Sequence, residues 1–131
     1  MAFNAEQNDP AKIDGGAWVE LRGAKWLIAR SGNAAYREEL EALRTNLPES
    51  QAERMEAEAR ALAKGILRGW EDVVDRNGDP IPFTVANATR VLLDNDDLAI
   101  ELAQESRRRE HFRREDIAEQ GKKPRQRSST D

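Results

Sequence analysis

The sequence has no cysteine and a single histidine, and its aromatic residues amount to three Trp, three Phe and one Tyr in 131 positions. Without cysteine there is neither a disulfide framework nor a thiolate metal site, which is compatible with a reducing cytoplasm. A lone histidine offers no His pair for a metal. No apolar run approaches the about 20 residues that a membrane helix requires. The opening MAFNAEQNDPAKIDGG lacks the basic-then-apolar order of a secretory signal, so the chain is expected to be soluble and intracellular. There is no nucleophile motif and no glycine loop suited to phosphate. With 35% charged and 38% hydrophobic residues, the chain is sized for one small domain with polar ends.

Charge is present in quantity but unevenly placed. From Ser106 to the end there are nine Lys or Arg against five Asp or Glu, a balance of +4, which leaves −8 of the total of −4 on residues 1 to 105. The body is acidic and its C-terminal end basic. Glu110, Glu115, Asp116 and Glu119 interrupt the arginines, and no aromatic series is interleaved for base stacking. A solvated helix and tail is therefore favoured over a nucleic-acid site.

Residues 1 to 15 are polar, contain Pro10 and lead to Gly15-Gly16, and are expected to be a disordered lead-in. AWVELR and KWLIAR, separated by Gly23-Ala24, have the pattern of a β-hairpin. Val19 and Leu21 share one face of the first strand, as do Trp26 and Ile28 on the second, and core or hairpin packing explains both tryptophans. Ser31 or Asn33 can cap a helix from Ala34, where Tyr36, Leu40 and Leu43 repeat at helical spacing before Pro48. A capping box, Ser50 with Glu53, opens the central helix, whose stripe runs Met55, Ala59, Leu62, Ile66, Trp70, Val73. Gly65 and Gly69 each lower helix propensity by about 1 kcal/mol relative to alanine, which points to close packing of another element there. A polar turn follows, then Pro80 and Pro82 hold the chain extended, and Thr84 caps a third helix carrying Val91, Leu92 and Leu93. Asp96 can cap a fourth, which carries Leu98 and Leu102 and extends towards Phe112 and Ile117. The predicted architecture is mainly α: a small helical domain over residues 16–119 with an N-terminal β-hairpin, flanked by disordered polar termini at 1–15 and 120–131.

None of the polar clusters reads as a reaction centre. Asp75-Arg76-Asn77-Gly78-Asp79 matches the opening of a calcium loop, but the sixth and twelfth positions, which need Gly and a bidentate Glu, hold Pro80 and Ala86. A tight turn explains it. Asp94, Asp96 and Asp97 sit in a helix-breaking cluster where capping accounts for them. His111, among arginines and glutamates, reads as solvated. No cofactor or metal is implied, and the chain is expected not to be an enzyme. The informative feature is instead a hydrophobic helix end, a rigid PIPF connector and a short apolar helix, which would form a docking corner.

Taken in order, GAWVEL, KWLIARSGNAAYREEL and ILRGWEDVVDRNGDPIPFTVANATRVLL resemble the tail assembly chaperones of long-tailed bacteriophages and prophages. The resemblance covers about residues 15 to 118 and is carried by Gly69-Trp70, Asp75 to Asp79, Pro80 to Phe83 and Asn87-Ala88. It implies a non-enzymatic protein of the bacterial host cytoplasm, absent from the mature virion. Such a protein binds the long, hydrophobic tape measure protein, self-associates on it, and leaves as tail tube subunits polymerise. Trp70, Phe83, Leu92 and Leu93 are the partner-binding candidates, with core packing as the competing role, above all for Leu92 and Leu93. The resemblance also implies a frameshifted longer form, for which the codons of Gly121-Lys122-Lys123 would supply the slippery run. The alternatives are another small phage morphogenesis protein, such as a head-tail connector or tail-completion subunit, and a nucleic-acid-binding accessory protein using Arg107 to Arg114 and the GKKPRQR tail.

Overall fold

The computed structural model describes residues 2–114. Order begins earlier than the lead-in reading placed it. Asp9 caps a short helix α1 (Pro10–Gly15) by accepting the Ala11 N–H, with Pro10 in the first turn, where its missing donor is not needed. The backbone around α1 is tied to the far end of the described chain: the Asp9 N–H donates to the Phe112 carbonyl and the Arg114 N–H to the Gln7 carbonyl, each at 2.8 Å. A polar segment without periodicity is thus ordered by long-range pairing, which leaves no local trace in the sequence. The expected 120–131 tail and Ile117 lie outside the described residues.

Strands β1 (Ala17–Leu21) and β2 (Ala24–Ile28) form the expected hairpin, but its turn is Arg22-Gly23, not Gly23-Ala24. Both turn residues have positive φ, 55° and 79°, as a two-residue turn compatible with strand twist requires. Arg22 is an unusual occupant, held there by an ion pair and hydrogen bond to Glu101. The register Val19 opposite Trp26 and Leu21 opposite Ala24 puts Val19, Ala24, Trp26 and Ile28 on the buried face. Trp18, opposite Leu27 on the outer face, is 52% exposed, so only one of the two hairpin tryptophans is in the core.

Helix α2 (Ala34–Thr45) is capped by Asn33, whose carboxamide oxygen accepts the Tyr36 N–H at 3.0 Å. The Asn33 side chain is buried and also donates to the Arg30 carbonyl at 2.5 Å and the Gly65 carbonyl at 2.9 Å. Helix α3 (Gln51–Gly65) opens at the Ser50–Glu53 box, with the Glu53 N–H donating to Ser50 Oγ at 3.1 Å. It then stops at Gly65, whereas the apolar stripe had carried it through Trp70 to Val73. Leu67–Glu71 is a third strand, β3, antiparallel to β2, with Trp70 opposite Trp26. The three-and-four spacing was fulfilled by chance across a helix end. Gly65 comes so close to Tyr36 that an added Cβ would lie 2.6 Å from the Tyr36 Cα, and Gly69 disfavours helix while a strand completes the second edge of β2.

Beyond β3 the Asp-Gly turn forms as read: Asp75 Oδ1 accepts the Asn77 and Asp79 N–H groups, and Gly78 takes φ 84°. Thr84 caps α4 (Val85–Asp94) through the Asn87 N–H at 3.0 Å. Helix α5 (Asp96–Glu105) follows after a break at Asn95; Asp96 is its first residue, not its cap. The helix ends at Glu105, and Phe112 reaches the core from a 3-10 turn over Arg109–Phe112. One core joins the inner hairpin face to Leu62, Ile66 and Leu67, to Ala88 and Leu92 of α4, and to Leu98, Leu102 and Phe112. The molecule is mainly α with one small antiparallel sheet.

Candidate functional site

The docking corner exists, but it is closed. Trp70 on β3 and Phe83 on the PIPF connector meet edge to face with ring centroids 5.1 Å apart, and Trp70 meets Trp26 in the same manner at 5.8 Å. The Trp70 indole N–H donates to the Ile81 carbonyl at 2.8 Å, which fastens the connector to the sheet. Both rings are half-buried against the core and face one another. Each such aromatic pair adds about 0.5–1.5 kcal/mol beyond area burial, so the corner is first a clasp that fixes where α4 starts. Leu92 is in the core, and Leu93 is partly exposed. The four candidates therefore divide: Trp70 and Phe83 come together, whereas Leu92, buried in the core, and Leu93, partly exposed, both border a second feature.

That feature, which Leu92 and Leu93 both line, is an open groove of about 280 Å³ between α3 and the α4–α5 pair. Ala59 and Leu62 of α3 and Ala99 and Ala103 of α5 line it, with Tyr36 of α2 as a further wall. The small side chains create the depth: Ala99 and Ala103 are one turn apart, so α5 presents a shallow track where a larger residue would fill the space. Met55 and Ile100 also line it and are 48% and 58% exposed; other large apolar side chains such as Trp18 and Leu47 are exposed too, so what marks this pair is that they share one groove. Glu58 and Asp96 supply its acidic charge. Burial pushes the pKa of the Tyr36 hydroxyl up, against the pull of Arg107 and with a smaller push from Glu58, so the phenol is neutral at physiological pH. Sequence reasoning placed Met55 on a helix stripe and Tyr36 in an apolar series, but missed Ala99, Ile100 and Ala103. The signal was the alanine pair at helical spacing beside an isoleucine that the Leu98–Leu102 face did not need.

Polar groups elsewhere are engaged in structure. His111 is not solvated but half-buried, its Nε2 3.1 Å from a Glu105 carboxylate oxygen. Arg108 pairs with Glu105 and Glu110, and Arg114 Nε donates to the Glu6 carbonyl at 2.6 Å. Arg68 Nε donates to the Asp14 carbonyl and its Nη1 to the Lys64 and Leu67 carbonyls, joining α1, α3 and β3. The arginines read as a candidate nucleic-acid patch thus include two whose guanidinium groups are held by this chain's own acceptors. Among the described residues, no group of three or more His, Asp or Glu could hold a metal ion, and no helix is long and apolar enough to cross a membrane.

A comparison with protein families matches residues 28–123, from the end of β2 through every later element, to the family described as YdaY prophage protein. Neither a curated protein nor a solved structure matches the chain.

Proposed function

The chain belongs to the YdaY prophage protein family, and from that premise we propose that it is a non-enzymatic tail assembly chaperone, binding the tape measure protein in the host cytoplasm until the tail tube encloses it. Membership makes it a phage-related protein; the finer role is our reading. The observation that carries it is the apolar groove with Met55 and Ile100 exposed at its sides, on a body whose first 105 residues carry −8. An open apolar track between helices suits the apolar face of a partner helix, and net charge keeps the carrier itself in solution. The resemblance of the ordered motifs from Gly16 to Leu93 to tail assembly chaperones points the same way.

The test is co-expression with the cognate tape measure protein. The soluble fraction of that protein is expected to rise with this chain present, and the chain is expected to be missing from purified particles by mass spectrometry. Equal solubility with and without the folded chain contradicts the chaperone reading. Retention in the particle instead supports a connector or tail-completion subunit.

A further inference from the structure

We propose that the groove between α3 and the α4–α5 pair selects its occupant by charge as well as shape: it takes an amphipathic helical segment of a partner chain whose short apolar stripe is flanked by Lys or Arg. The inference rests on the chaperone reading for the biological source of that segment, but not for its chemistry.

Length comes first. From Met55 to Leu62, the lining residues of α3 span seven steps, about 10 Å at a helical rise of 1.5 Å per residue. That is about two turns, enough for three apolar side chains at i, i+3 or i+4, and i+7. The alanines at 59, 99 and 103 give such side chains somewhere to go, and Met55 and Ile100 are placed to fold over them. Met is well suited to this, because its unbranched thioether adapts to differently shaped neighbours.

Charge then narrows the choice. The groove's lining includes two carboxylates, Glu58 and Asp96, and no Lys or Arg, although the charge of Arg107 reaches the Tyr36 hydroxyl at one wall. A helix bringing Lys or Arg to its borders gains two favourable contacts, whereas one bringing Asp or Glu meets like charge. The same reasoning disfavours a second copy of this chain, since the body that would dock carries −8. Residues 115–131 carry four Lys or Arg against four Asp or Glu and supply only Ile117 and Ala118 as apolar side chains, too few for a two-turn stripe.

Two labelled synthetic helical peptides test this on the full-length protein by fluorescence anisotropy. Both carry leucines at three positions spaced as above; one has lysines flanking the stripe and the other glutamates. The lysine peptide is expected to bind about five- to tenfold more tightly at low salt, with the gap closing as salt screens the charges. Glu58→Lys should abolish or invert the preference. Ile100→Glu, at an exposed position, should weaken both peptides by at least about tenfold while leaving the thermal melt unchanged. Equal binding of the two peptides, or no effect of Ile100→Glu on a folded protein, overturns the inference. So does a change from dimer to monomer in Ile100→Glu by sedimentation, which would make a second copy the occupant. Tighter peptide binding after truncation at Arg114 overturns it as well, because the chain's own end would then cover the groove. The tape measure solubility assay is read separately. Charge-selective peptide binding without solubilisation leaves the groove standing and removes the proposed partner; solubilisation without charge selection removes the groove inference and leaves the chaperone acting through another surface.

Discussion

Asn33 shows how much a single side chain arranges here: it caps α2 and donates to the carbonyls of Arg30 and Gly65, so the hairpin exit and the ends of two helices meet at one carboxamide. Its capping role was legible from position, but its other two bonds were not, because their acceptors are backbone groups that only the fold brings near. Gly65 gives a sharper test, since local and tertiary reasoning disagree in sign. Helix propensity alone makes Gly65→Ala stabilising by about 1 kcal/mol. The 2.6 Å approach of a Cβ to the Tyr36 Cα makes it destabilising, by about 1–3 kcal/mol if the helices separate to admit the methyl group. Urea denaturation is expected to show the loss. Tyr36 itself supplies a pH signature. Its pKa is raised above the ordinary 10.0 chiefly by burial, so its contribution is complete below about pH 10 and is lost as pH climbs through the folded value. The melting temperature should fall more steeply above pH 10 in the parent than in Tyr36→Phe, and equal slopes would mean that the hydroxyl is not desolvated.

Among the elements, the hairpin, the Ser50 helix start, the Asp-Gly turn and the Thr84 helix start could all be placed from sequence, because each has a local chemical cause. The end of α3 could not. Leu62, Ile66, Trp70 and Val73 satisfy helical spacing, and what converts the last part to β3 is an unpaired edge on β2, supplied by residues some forty positions earlier. The N-terminal helix carries a local start signal, Asp9 before Pro10, but is short and without an apolar stripe, and it is secured by the backbone around Phe112. The Trp70–Phe83 corner was found, and of its two expected roles, partner anchor or core closure, the half-buried edge-to-face pair fits the second. Alanine at either position should therefore cost about 3 kcal/mol of stability by denaturant titration, with loss of partner binding only in proportion to unfolding. Variants that stay fully stable yet fail to bind would return the corner to a docking role.

At the scale of the molecule, a small acidic domain leaves two large apolar side chains open beside a groove in which the carboxylates of Glu58 and Asp96 are the charged lining groups. Composition excluded disulfides and long apolar spans, and the order of motifs pointed to a phage protein, which the family match supports. The groove itself was illegible, since it depends on how α3, α4 and α5 cross, and no periodicity records a crossing. Trp18 provides the natural control, being as exposed as Met55 but on the outer face of the sheet. The most direct measurement is the soluble fraction of the co-expressed tape measure protein with the parent chain, with Met55→Glu/Ile100→Glu, and with Trp18→Glu, all three confirmed folded. Loss of solubilisation in the groove variant with retention in Trp18→Glu is the expected result; full activity in the groove variant would contradict a chaperone that works through this groove.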